Sequence, residues 1–153
     1  MDVDAKLKEL FIELPEPGKT FGSVAHAMRS GKLLFVSGAL PFADGKLLAK
    51  GRVGIEVRLD LAKSAMRTAF IQALCIVAME SKGTLNQIKQ ILRLEGYIAS
   101  GADFGDHLKV LDGASELAGI LFGNAGRHSR SAVGVASLPL NACVQLSTIF
   151  EMK

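Results

Sequence analysis

The sequence predicts an α+β fold, a mixed sheet with two main helices packed on one face. Three observations carry that prediction. A long helical stripe over Leu59–Glu80 follows a cluster of short strand signals. A single strand pattern, Ile88–Ala99, separates it from a second helical stretch, Phe104–Leu121. The chain then closes on two more strand patterns. Two helices laid over one sheet bury the apolar stripes of both in the simplest way.

The elements follow in chain order. Val3, Leu7, Leu10, Phe11 and Leu14 recur at helical spacing, and Asp2 and Asp4 suit the positive end of a helix. Pro15 and Pro17 stop it, since proline has no N–H and restricts its predecessor. A short helical extension over about 3–13 is expected. Val24–Arg29 alternates loosely as a strand, Ser30-Gly31-Lys32 is its turn, and Lys32–Ser37 is a firmer apolar strand. Asp44-Gly45 is a hairpin turn.

In the long helix, Ala62, Ala65, Met66, Ala69, Phe70, Ala73, Leu74 and Val77 form the stripe. Asp60 favours its dipole and Gly83 can end it. Asp103 is a candidate cap for the second helix, which Gly105, Gly113 and Gly119 weaken. Ser131–Ser137 reads as a strand, Leu138-Pro139-Leu140-Asn141 breaks it, and Cys143–Glu151 is the last strand. One face of such a sheet stays open, and its apolar content predicts that another subunit covers it.

Composition bounds the function. A chain of 153 residues favours one domain, here 1–153. Hydrophobic residues make up 49%, which excludes a disordered or linker protein. A net charge of +3 is too small to diagnose nucleic-acid binding, and the absence of tryptophan removes the best stacking surface for bases. Cys75 and Cys143 lie in apolar runs and read as small hydrophobes, not a disulfide framework or metal site. The N-terminus lacks the order of a signal peptide and no run of 18 apolar residues occurs. The expected compartment is the cytoplasm, with no membrane partner.

Hydrolysis by a serine–histidine pair finds no nucleophile elbow around Ser37, Ser115 or Ser131, although His26, His107 and His128 are available. The densest polar cluster is Gly126-Arg127-His128-Ser129-Arg130-Ser131, leading into an apolar strand. An arginine at a strand entrance can grip a carboxylate through two parallel hydrogen bonds. The same cluster would also suit a solvated turn or an arginine paired with a protein carboxylate.

Gly31-Lys32-Leu33-Leu34-Phe35-Val36-Ser37-Gly38 resembles the early strand motif of the YjgF-type proteins. These are also called reactive-intermediate deaminases or endoribonuclease L-PSP-like proteins. Arg130-Ser131-Ala132-Val133-Gly134-Val135, followed by Leu138-Pro139, resembles their C-terminal signature. Gly51-Arg52-Val53-Gly54, Gly113-Ala114-Ser115-Glu116-Leu117 and Gly126-Arg127-His128 resemble the longer, YjgH-like branch.

The resemblance implies a chorismate-mutase-like fold and a homotrimer whose sheets line a central barrel. Clefts between subunits would take small 2-keto or 2-imino carboxylic acids, and active relatives hydrolyse the imines to 2-keto acids and ammonia. No metal or organic cofactor is implied. Arg130 matches the residue that clamps the ligand carboxylate. Ser37 and Gly38 match pocket-lining strand-end residues, and Cys143 lies near a position whose backbone holds ligand or water.

Three positions depart from the pattern. Gln145 stands where a glutamate orients the attacking water; an amide can orient water but cannot take its proton. Val24 stands where many members carry an active-site tyrosine, and Asp112 where the longer branch has asparagine. An intact clamp with altered water-handling groups implies ligand binding as the leading function. Imine or enamine deamination is the alternative, and an RNA-related or protein-interaction role is the third.

Overall fold

A computed structural model describes residues 1–17 and 24–153 of the chain. Five strands form a mixed sheet: β1 (Ala27–Ser30), β2 (Leu33–Ala39), β5 (Ile88–Ala99), β6 (Ser129–Val135) and β7 (Val144–Met152). Their order is β1-β2-β7-β5-β6. Only β5 and β6 run parallel, and the helix α3 (His107–Phe122) makes the crossover between them. The other long helix, α2 (Leu59–Glu80), packs on β7 and β2, while α3 packs on β5 and β6. This is the α+β architecture expected, with both helices on one face.

Burial in β7 alternates strictly. Val144, Leu146, Thr148, Phe150 and Met152 are buried, while Gln145, Ser147, Ile149 and Glu151 are half-buried on the other face. The helix-facing layer continues through Leu94 and Ile98 of β5 and Leu34 and Val36 of β2, against Met66, Phe70, Leu74, Leu111 and Phe122 of the helices. The α2 helix is long and apolar enough to cross a membrane, but Ala65, Ala69, Phe70 and Ala73 are wholly buried in this core.

The bounds of α2 and β5 coincide with the expected ones. Asp44 and Gly45 both have positive φ, the two-residue turn that joins β3 (Phe42–Ala43) to β4 (Lys46–Leu47). Elsewhere the ends differ. The first helix, α1 (Val3–Glu9), is shorter than its apolar spacing predicts. Phe11 adopts a left-handed conformation, and the N–H groups of Ile12 and Phe11 donate to Leu7 and Lys8 carbonyls at 2.9 and 3.1 Å. That six-to-one cap stops the helix before the prolines are reached.

The start of α3 falls at His107, not Phe104, because Asp106 is the cap residue whose carbonyl accepts the Val110 N–H at 3.2 Å. The first strand begins at Ala27, where its regular ladder with β2 starts opposite Val36. The sixth strand runs Ser129–Val135, two residues earlier than expected, in unbroken register with Arg93–Ala99.

Gly113 of α3 lies against the backbone of α2. A β-carbon there would overlap the Lys63 carbonyl oxygen, which is backbone and cannot swing aside. The glycine that weakens α3 by propensity is therefore what lets the helices cross. Gly113→Ala should lose about 1–3 kcal/mol despite alanine's better helix propensity. A urea titration should show a lower midpoint with an unchanged slope; an unchanged or raised midpoint would contradict this packing.

Candidate functional site

A cavity of about 460 Å³ opens beside the end of β2. The β2–β7 pairing is irregular between Val36 and Ala39, and that bulge exposes Ser37 and Gly38. Ser37 is tied down twice: its N–H donates to the His26 carbonyl at 2.9 Å and its Oγ to the Ala25 carbonyl at 2.8 Å. Gly38 faces Gln145, whose amide nitrogen occupies the space a β-carbon would need. Only glycine at 38 lets the Gln145 side chain lie flat over β2. Val24, 60% exposed, forms part of the outer wall.

Two further groups shape this cavity. Gln72 of α2 donates from Nε2 to the Phe42 carbonyl at 2.8 Å, holding the β3–β4 hairpin as one wall. Leu140 and Asn141 on the opposite rim both have left-handed φ, near +58° and +59°. Such a conformation disfavours leucine by about 1–2 kcal/mol, whereas asparagine tolerates it. The Gly51 N–H, 2.9 Å from the Asn141 carbonyl, holds this rim in place. The sequence marked Leu138–Asn141 only as a break between strands.

Four of the six expected site residues, Val24, Ser37, Gly38 and Gln145, thus converge on one cavity. Two do not. Cys143 is fully buried, and its carbonyl accepts the Ala99 N–H at 2.9 Å. Burial pushes the thiols of Cys75 and Cys143 up to about 11.

Arg130 belongs to the opposite face. It pairs across the sheet with Leu94, which pairs with Thr148, both buried under the helices. Its Nη1 donates to Asp112 Oδ1 at 2.7 Å and to Ser115 Oγ at 3.2 Å, both from α3. Arg130 and Asp112 remain 30% and 37% exposed. Among the described residues, both of Arg130's side-chain hydrogen bonds leave from Nη1, and the Nε–Nη2 edge has no protein partner. That edge can present two parallel N–H donors to a carboxylate. Ser115 also lies 2.9 Å from His128 Nε2, and His128 Nδ1 lies 2.6 Å from the Gly126 carbonyl. The sequence offered Ser115 and His128 only as separate residues.

The open face of the sheet carries a second polar group. Arg93 Nε donates to Glu95 Oε1 at 2.7 Å and Nη2 to Ser131 Oγ at 2.9 Å. Met28, Phe35 and Val133 stand exposed around it.

A bulged strand end beside a cavity, on a mixed sheet with two helices on one face, defines a class of small α+β proteins. The chain belongs to the family described as "YjgF/chorismate mutase-like, putative endoribonuclease", whose model matches residues 4–152. It is 36% identical to the Agrobacterium tumefaciens protein Atu1372, a protein of unknown function, over 99% of this chain and 92% of that one, with a TM-score of 0.92. A Shewanella oneidensis structure, described as a putative endoribonuclease, is 34% identical over 99% of this chain and 100% of its own, with a TM-score of 0.94. Protein TCP17 of Trypanosoma cruzi is 32% identical over 98% of this chain and 94% of its own. The fold is also that of Escherichia coli TdcF, solved with bound serine, at 17% identity over 90% of this chain and 94% of its own with a TM-score of 0.63.

A thiol with a pKa near 11 is about one part in a thousand ionised at pH 8. Both cysteines should therefore react slowly with an aromatic disulfide reagent in the folded protein and at once in denaturant. The raised folded values also set a sign. Stability is full below the unfolded thiol pKa near 8.5 and falls as pH rises from there towards 11. A native thiol that reacts within the mixing time at pH 8 would contradict the burial.

Proposed function

We propose that the protein binds small 2-keto or 2-imino carboxylic acids in clefts between the subunits of a homotrimer, as a member of the longer YjgH-like branch. The observation that carries this reading is the half-engaged guanidinium of Arg130. Its Nη1 is held by Asp112 and Ser115, while its Nε–Nη2 edge has no partner among the described residues. TdcF, of the same fold, holds serine, which carries a carboxylate on a frame of similar size.

The faces of the sheet support a shared cleft. Arg130 and Gln145 lie on opposite faces, on strands separated by β5. A ligand of a few heavy atoms cannot touch both within one subunit. The clamp of one subunit set beside the Ser37–Gly38–Gln145 cavity of its neighbour meets that constraint. The exposed Met28, Phe35 and Val133 give the open face the apolar surface that assembly would cover.

Turnover is the second reading. Hydrolysis adds water to the imine carbon, breaks the C–N bond, and releases ammonia and a 2-keto acid. Gln145 can orient that water through its amide but has no basic oxygen to take the proton. Binding therefore ranks ahead of deamination. An RNA-related role ranks third, since His128 and Arg130 are already engaged with Ser115 and Asp112.

Calorimetry with pyruvate is the test. Arg130→Ala should weaken binding about tenfold or more, the loss expected for a charge-assisted pair. Equal affinity in both proteins would remove the clamp. Freshly generated 2-iminopropanoate tests turnover in the same samples. Gln145→Glu should raise ammonia release if a missing carboxylate limits it; no gain would leave binding as the function.

Asp112 sets the strength of the clamp. Two like charges about 6 Å apart in water repel by ~0.7 kcal/mol. Asp112→Asn keeps an acceptor for Nη1 and removes the charge that opposes the ligand carboxylate. Pyruvate should then bind roughly threefold tighter at low salt, with less gain at high salt. Weaker binding would mean that the ion pair matters more for placing the arginine than for opposing the ligand.

A further inference from the structure

We infer that Ser115 and His128 are positioning residues for Arg130, an inference that rests on the carboxylate-binding reading above. With His128 neutral, the hydrogen-bond chain behind the arginine has one direction. A carbonyl only accepts, so His128 Nδ1, 2.6 Å from the Gly126 oxygen, carries a proton. In the neutral ring Nε2 is then an acceptor, and the Ser115 hydroxyl 2.9 Å away donates to it. With its hydrogen committed, Ser115 Oγ turns a lone pair towards Arg130 Nη1 at 3.2 Å. Asp112 takes the second hydrogen of the same nitrogen at 2.7 Å.

The far end of the chain is fixed by backbone. Gly126 is buried, and a side chain there would overlap the Ala118 carbonyl of α3. The relay therefore links the turn after α3, the helix itself and β6. An ion pair alone lets a guanidinium pivot about the paired nitrogen. A second acceptor at an angle to the first fixes the plane, and with it the direction of the Nε–Nη2 edge. Ordering an arginine costs rotamer entropy, and a side chain ordered before binding spares the ligand that cost. His128 and Ser115 need not touch the ligand to do this.

The test reads the arginine directly and then the ligand. Arginine side-chain ¹⁵N spectra should show separate Nη1 and Nη2 signals for Arg130, assigned by their loss in Arg130→Lys. They should merge in Ser115→Ala and stay separate in Ser115→Thr, which keeps the hydroxyl. Pyruvate affinity by calorimetry should weaken about five- to tenfold in Ser115→Ala and within about twofold in Ser115→Thr. In the Arg130→Lys background Ser115→Ala should change nothing further, because its effect passes through the guanidinium.

Separate Nη signals in Ser115→Ala would overturn the positioning role whatever pyruvate does. So would an equal loss of affinity from Ser115→Ala in both backgrounds. Merged signals with pyruvate affinity unchanged by Arg130→Lys would instead keep the relay and remove the carboxylate reading.

Discussion

The two-residue period of β7 is the constraint on which the rest depends. It is the central strand, paired antiparallel with β2 on one side and β5 on the other. Its buried residues, from Val144 to Met152, face the helix layer and pack on α2, so sliding the strand by one residue would turn the whole apolar set to the open face. The same register fixes Gln145 on that open face, beside Gly38 at the bulge. It also fixes Arg130, two strands away, on the helix face. Core packing and the separation of Arg130 from Gln145 are thus one fact.

Long, strongly periodic elements were legible in the sequence. The α2 stripe and the β5 run need no partner to declare themselves, because each carries its own period over many residues. The Asp44-Gly45 turn was legible because two successive left-handed residues demand that chemistry. The end of α1 was not. Its stop depends on Phe11 taking a left-handed conformation that side chains of its kind seldom adopt, a choice made by the docking of Ile12 on the core. The start of β6 was likewise set by its pairing with Arg93, a contact between residues 36 positions apart.

The candidate site divided along the same line. Ser37, Gly38 and Gln145 were found through their place in linear motifs, and the fold brings them to one cavity. Ser115 and His128 could not be paired from sequence, since no spacing rule joins a mid-helix serine to a histidine beyond the helix end. Their meeting needs the glycine at 126, which lets the chain turn back tightly over Ala118. Cys143 was legible from its apolar run as a small hydrophobe, and it is buried. Its place near the ligand came only from the resemblance, and within the chain its carbonyl accepts the Ala99 N–H of β5.

The partner of Arg130 bears on what that arginine could recognise in the role proposed for it. An arginine with no counter-ion attracts any anion, and a stretch of phosphates most of all. Asp112 cancels much of that long-range pull while leaving two donors in a fixed plane. What remains favourable is short-range and geometric: two oxygens of one planar group, aligned with Nε and Nη2. Small carboxylic acids present that arrangement. Extended polyanions depend on summed charge, which Asp112 opposes and which a net charge of +3 across the chain does little to restore. Under the proposed carboxylate reading, the ion pair that weakens Arg130 as an attractor would sharpen it as a gauge of shape, which favours a small planar acid over a nucleic acid.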